Sequence, residues 1–157
     1  MRLWGIDPGL NGALCLMDTS VPELSVFPMP TLATKKNKRE VIAFMVADVL
    51  LHDTKAPVWI EQVGARPGQG VTSMFNFGKN YGLLFGVVAG LQMPVSTVTP
   101  QTWKRQLKLQ PGKDASRAKA MELFPHYSEE FSLKKDEGKA EACLIATWAS
   151  LFGQGEQ

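Results

Sequence analysis

"WGIDPGLNGALCLMD", residues 4–18, carries the strongest fold signal in the chain. An apolar run ends on Asp7, gives way to Pro8 and Gly9, and resumes after Asn11 and Gly12 as a second apolar run. Two strands joined by a tight turn, 2–7 and 13–18, account for that pattern. The position of Asp7 has two readings. Aspartate before Pro-Gly is ordinary turn chemistry, because its carboxylate can bond its own backbone and an extended residue suits the position before proline. A carboxylate at the carboxyl end of a buried strand is also where a ligand site forms in an open α/β sheet.

Downstream, PELSVFP (22–28) reads as a third strand, at an edge because prolines bracket it, and TLATKKNKR (31–39) as a polar loop. Residues 40–52 repeat apolar side chains at three and four spacings and predict a helix. APVWIEQV (56–63) suits a strand buried on both faces, with Glu61 following Val58, Trp59 and Ile60. GARPGQG (64–70) is too rich in Gly and Pro to be regular; a long helix follows over 71–91 and a strand over 94–98. Thr99 before Pro100 is a helix start, a hydroxyl cap ahead of proline at the first helical position, and Asp114 opens another helix in the same way, up to Phe124. The last helix covers 136–151, with Cys143, Leu144, Ala146, Thr147, Trp148 and Leu151 as its apolar face. Nothing splits the chain, so 1–157 is read as one domain. A strand meander followed by alternating strands and helices predicts an α/β fold, a mixed five-stranded sheet with helices on both faces, on the plan of ribonuclease H.

Composition bounds the chemistry. With 157 residues, 45% hydrophobic and 20% charged, the chain is long enough for an unstapled core. Its two cysteines, Cys15 and Cys143, sit in apolar runs without metal or redox spacing, which predicts two reduced core thiols. No apolar stretch reaches the ~20 residues that span a bilayer, and MRLWGID lacks the apolar core of a signal peptide, so no membrane partner and a cytoplasmic location are expected. Positive charge is concentrated in two clusters, Lys35, Lys36, Lys38, Arg39 and Lys104, Arg105, Lys108, Lys113, Arg117, Lys119. Each alone could be a solvated face; two in a chain of net charge +2 are the footprint of phosphate-backbone binding.

Glu137 and Glu141, four apart, share one face of the last helix, and Asp136 lies one position off it. Any of these acids taken alone could be an exposed helix charge. Gathered with Asp7 and Glu61 at one sheet edge they would repel by about 4 kcal/mol per close pair at an effective dielectric near 20, which only a cation makes sensible. All-oxygen ligands favour Mg2+, or Mn2+, over zinc. Two such ions, about 3.5–4 Å apart, activate a water and stabilise the leaving oxygen of a phosphodiester.

GIDPGLNGAL, IEQV with the loop and Gly-rich helix after it, TPQTWKR, GKDASRAKAMELFP and EGKAEACLIATW occur in an order and spacing that resemble the RuvC-like Holliday junction resolvases, most nearly their phage-type branch. The resemblance covers nearly the whole chain. It implies a homodimeric, Mg2+-dependent endonuclease that resolves four-way DNA junctions by paired symmetric nicks with metal-activated water, without a small-molecule cofactor, in a bacterial host cell if the gene is a phage's. It carries metal ligation to Asp7, Glu61 and Glu141. Cellular members have two Asp three apart in the last helix; here the earlier position is Gly138, so the phage-type pattern points to Glu137 as fourth ligand, with Asp136 in reserve. Lys113 is similar in position to basic residues that approach the scissile phosphate. Lys104, Arg105, Lys108, Arg117, Lys35 and Lys36 are expected to position phosphates. If six phosphates are neutralised, affinity falls roughly a thousandfold between 50 and 200 mM salt.

Gly78, Gly82, Gly86 and Gly90 recur every fourth residue of the long helix, which calls for close backbone approach, within this domain or across a dimer. Phe75, near its start, is a candidate for stacking on unpaired bases, with core packing as the plain alternative. Gly9 and Gly12 are expected to leave room for a phosphate beside Asp7. The same acids and fold would also serve a nuclease of flap or branched DNA or of RNA, and the fold alone would serve a non-catalytic nucleic-acid binding module. An actin-like ATPase needs two such domains, for which the chain is too short.

Overall fold

The computed structural model describes residues 1–21, 23–34, 38–65 and 67–153. β1 (Arg2–Asp7) and β2 (Ala13–Asp18) form the hairpin expected of the opening stretch, in a register that pairs Asp7 with Ala13 and Arg2 with Asp18. β3 (Glu23–Pro28) adds antiparallel to the outer edge of β2. On the other side β6 (Val58–Glu61) and then β7 (Val95–Val98) add parallel, after β4 (Thr31–Ala33), β5 (Arg39–Val41) and the helices α1 (Ala43–Leu50) and α2 (Val71–Gly90) have intervened in the chain. The sheet is mixed and five-stranded, in the order β3-β2-β1-β6-β7, and β1 is at its centre.

Strand periodicity explains how both faces are covered. Leu3, Ala13, Cys15, Met17 and Trp59 face a core shared with α3 (Pro100–Gln106), α4 (Ala115–Leu123) and α5 (Glu137–Phe152). Their neighbours Trp4, Ile6, Leu14, Leu16, Val58 and Ile60 face the opposite core, shared with α1 and α2. Apolar residues on both faces turn these strands into the near-continuous hydrophobic runs of a buried sheet. Cys15 and Cys143 meet in the first core as free thiols. Among the described residues no helix is long and apolar enough to cross a membrane.

Two local expectations are corrected. Both ends of the expected loop are strand: β4 and β5 pair as a separate two-stranded sheet, Thr31 opposite Val41, and the helix expected from residue 40 starts only at Ala43. Only Val41 of this pair is buried, so the short strands lack the hydrophobic alternation by which strands are recognised. Asp114 precedes α4 without capping it by a side-chain hydrogen bond; its carboxylate pairs with Arg117 instead. Thr99 does cap α3, its hydroxyl accepting the Thr102 N–H at 3.2 Å, with Pro100 at the first position.

α5 packs along β1, and one glycine sets how closely. A Cβ on Gly5 would run into the Ala142 carbonyl and the Ala146 backbone nitrogen, so the helix axis can lie directly over the strand only because residue 5 has no side chain. Gly138 has the same role about a turn earlier in α5, where a Cβ would collide with the backbone of Asn11 and Gly12.

Candidate active site

The period of two that puts Leu3 and Gly5 under α5 puts Asp7 on the same face. In β6 the same rule carries Glu61 to that face two residues after Trp59. Glu141, beside the Ala142 that rides on Gly5, comes down from α5. The three carboxylates converge: each offers an oxygen within 4.8 Å of the others. Two of them, Asp7 and Glu61, line a cavity of about 530 Å3 together with Gly9, Gln69, Phe77 and Thr99.

Each carboxylate is held by a different donor. Asp7 Oδ1 accepts the Gly9 N–H at 3.0 Å, the turn bond that Asp before Pro-Gly is suited to make. Glu61, 7% exposed, accepts a hydrogen bond from Trp103 Nε1 at 2.9 Å. Glu141 Oε1 accepts from Ser116 Oγ at 2.9 Å and is paired with Lys104 Nζ at 2.8 Å. Lys104 also lies 4.9 Å from the ring centre of Trp103, so consecutive residues of α3 serve two different acids.

The electrostatics are those of a site that wants a cation. Burial first, and then the charges of Glu141 and Glu61, push the Asp7 carboxyl from its ordinary 3.8 up to about 7, against the lowering influence of the Gly9 N–H and Lys104. Three convergent carboxylates, all oxygen donors, fit a hard divalent cation.

The other expected site residues fall elsewhere. Glu137, half-buried at the start of α5, does not belong to the acid group found among the described residues. Asp136 is buried, but its carboxylate accepts the Leu133 N–H at 3.0 Å and lies 3.5 Å from Lys139 Nζ. At Gly138 the packing of α5 against the β1–β2 turn leaves no space for an acid. Gly12 is needed by Asp7 itself rather than by a phosphate, since a Cβ there would strike the Asp7 carbonyl and carboxyl carbon; Gly9 does border the cavity.

Lys113, Arg105 and Lys108 are exposed, as a phosphate contact requires. Arg117 is turned inward, donating to the carbonyl of Ser132 at 3.0 Å and to Asp114, so it braces the segment before α5. Lys35 and Lys36 lie outside the described residues. Phe75 is 71% exposed and borders neither this cavity nor the groove beside it, whereas Phe77 borders both. The glycine stripe faces open space at all four positions, so no close approach within this chain explains it.

Trp103 and Ser116 are site residues that sequence reasoning does not single out. The signal that could have found them is position: Trp103 and Lys104 follow the Thr99–Pro100 cap by one turn, and Ser116 is in the first turn of α4.

No family model matches the chain. In sequence it is 29% identical, over 84% of its length, to "Holliday junction resolvase MOC1, chloroplastic" of Chlamydomonas reinhardtii. The chain spans about 18% of the length of that relative. Among solved structures it is similar to Thermus thermophilus RuvC in complex with a Holliday junction substrate, with a TM-score of 0.66 at 16% identity over 99% of this chain and 96% of that one. It is also similar to the yeast mitochondrial Holliday junction resolvase Ydc2, with a TM-score of 0.52 at 14% identity over 94% of this chain and 76% of that one. Strand order, the helices on both faces and these likenesses agree: the chain has the RuvC-like form of the ribonuclease H fold.

Proposed function

We propose that this chain is a divalent-cation-dependent endonuclease that nicks four-way DNA junctions, with Asp7, Glu61 and Glu141 as the ligands of Mg2+ or Mn2+. The observation that carries the reading is the convergence of those carboxylates, from three separate elements, beside a cavity that Asp7 and Glu61 line. A non-catalytic binding module has no use for three mutually repelling acids. The likenesses to a Holliday junction resolvase in sequence and to junction-bound RuvC in fold support the choice of branched DNA as substrate.

The chain's own residues do the positioning. The Gly9 N–H, Trp103 and Ser116 orient the three carboxylates, as donors behind metal ligands do. Asp7, Glu61 and Glu141 would hold divalent ions, two in our reading, and ions bound there would supply an activated water and stabilise the leaving oxygen. Glu137, one turn before Glu141, is the fourth ligand in this reading, reached by rotation of its long side chain. Lys104 sits at the inner rim of the cluster, and Lys113, Arg105 and Lys108 offer exposed positive charge for the DNA backbone.

Paired symmetric nicks require two copies of the chain. The face of α2 that carries Val71 (87% exposed), Phe75 and the open glycine stripe is the surface we assign to that homodimer.

The test is incubation of the purified protein with labelled four-way, flap and linear duplexes and with RNA–DNA hybrid, with and without Mg2+. Mg2+-dependent, symmetric nicking of the four-way junction ahead of the other substrates is expected. Preference for flap or hybrid would move the substrate class and leave the acid chemistry standing. Binding of junctions with no cutting under any divalent ion would overturn the nuclease reading.

A further inference from the structure

Among the described residues, one buried side-chain polar atom has no hydrogen-bond partner, Arg117 Nε. The side chain is 12% exposed, although the sequence reads it as a phosphate contact. Burying a guanidinium with one N–H unpaired is costly, so what its other nitrogens hold has to offset that. Nη1 donates to the carbonyls of Phe131 and Ser132, at 3.4 and 3.0 Å, at the end of the 3-10 helix Pro125–Phe131, where carbonyls have no partner within the helix. Nη2 pairs with Asp114, the residue before α4. One guanidinium therefore ties the start of α4 to the segment that leads into α5.

α4 needs such a tie. Of its residues only Ser116 and Ala120 are buried, with Met121 partly so, and the two buried side chains are small. Apolar burial therefore does little to fix how the helix lies. Asp114 gives its first turn no side-chain cap. That turn nevertheless has an exacting task, because Ser116 Oγ has to meet Glu141 Oε1, 2.9 Å away on α5. Ser116 directly precedes Arg117.

We propose that Arg117, together with Asp114, is a positioning residue for the cleavage site: it holds the first turn of α4 where Ser116 meets Glu141, and contacts no phosphate itself. The proposal rests on the nuclease reading above, in which Glu141 is a metal ligand, and takes Arg117 out of the residues that bind the DNA backbone.

The test measures Mn2+ binding to the full chain by EPR, junction affinity by gel shift across a range of salt in EDTA, and kcat and KM for junction cleavage in Mg2+. Arg117→Lys keeps the charge but cannot span three acceptors at once. Its Mn2+ affinity and kcat should each fall about tenfold, while KM, junction affinity and the salt slope stay those of wild type. A phosphate contact would behave in reverse, the slope falling by about one with kcat unchanged, and that result overturns the proposal. Ser116→Ala should match Arg117→Lys, and the double variant should bind Mn2+ no more weakly than either single one, because both act through one hydrogen bond. Losses that multiply would place the action of Arg117 elsewhere and overturn the proposal as well.

Asp114→Ala separates position from plain charge. By charge alone, removing an acid among lysines tightens DNA binding and leaves Mn2+ binding as it is. With position at stake, Mn2+ affinity and kcat should fall about threefold, the weight of one exposed ion pair. Should Arg117→Lys melt early, Asp114→Ala decides the matter, since that residue is 72% exposed and its loss leaves the core intact. Mn2+ affinity at or above wild type in Asp114→Ala overturns the proposal and, where wild-type protein cuts junctions, leaves the nuclease reading standing. If wild-type protein neither binds Mn2+ nor cuts branched DNA, both fall.

Discussion

Asp7 and Asp18 end the two strands of the same hairpin and make the same local bond. Each accepts, on Oδ1, the backbone N–H two residues on, Gly9 at 3.0 Å and Ser20 at 2.9 Å. Their electrostatics are opposite. Asp18, at the far end of the β1–β2 pair, accepts the Ser20 hydroxyl at 2.6 Å and lies near Arg2 and the N-terminal ammonium, which hold its carboxyl down at about 2. Asp7 is half-buried beside Glu61 and Glu141, and its carboxyl is pushed up to about 7. Turn chemistry is common to both, so it does not distinguish a site from a surface turn. What distinguishes them is which charges the rest of the fold brings up and how much water it leaves.

The largest difference expected between the two ends is in catalysis. Asp7→Asn should lower junction cleavage at least about a thousandfold while gel-shift affinity for the junction is retained. Asp18→Asn, the matched change at the other end, should leave the cleavage rate as it is. Equal loss in both would mean that the hairpin, and not the acid cluster, is what the assay reads.

The second effect is on stability against pH, with opposite signs at the two ends. In the folded chain Asp7 holds its proton up to about 7, and in the unfolded chain only to 3.8, so the metal-free protein loses stability as pH rises between those values. The loss should be on the order of 2–4 kcal/mol, measured by denaturant melts in EDTA, and Asp7→Asn or added Mg2+ should flatten it. Asp18 has the reverse sign. Its depressed value contributes stability that is present above 3.8 and is lost as pH falls toward about 2, and Asp18→Asn should remove that acid-side loss. A metal-free curve that rises between pH 4 and 7 would contradict the assigned strain at Asp7.

A smaller effect follows from the close packing that brings Glu141 to Asp7. Gly138→Asp adds an acid at the position where the resemblance expects one, but its Cβ would enter the Asn11 carbonyl. The expected result is destabilisation of about 1–3 kcal/mol by thermal melt, with no gain in Mn2+ affinity. Tighter Mn2+ binding with an unchanged melt would show that α5 can shift to accept a fourth ligand there. The smallest effect on the site is expected from Trp103→Phe, which removes the hydrogen bond to Glu61 and leaves part of the volume of a buried indole empty. Mn2+ affinity should fall roughly 10- to 100-fold, with a loss of about 1–2 kcal/mol in the metal-free melt.

Local order in this protein is written in its sequence. Period-two strands ending on acids, the Thr99–Pro100 cap and the 3.6-residue periodicity of α2 and α5 depend on neighbours a few residues away, and they were legible. So was the presence of Asp7, Glu61 and Glu141 at the ends or on the face of such elements. The β4–β5 pair was not legible, because strands with one buried residue between them carry no periodic signal and are held by Lys79 and Asn80 of a distant helix.

Which acids meet was settled by long-range packing alone, through absent side chains as much as present ones. Gly5 lets α5 down onto β1 so that Glu141 reaches Asp7, while the same closeness at Gly138 leaves no room for another acid. That packing also turned Arg117 inward, set Lys104 against Glu141, and put Phe77 rather than Phe75 at the border of the site. These outcomes depend on distances between residues scores of positions apart, which the rise and twist of whole elements set. Spacing along the chain carries no record of them.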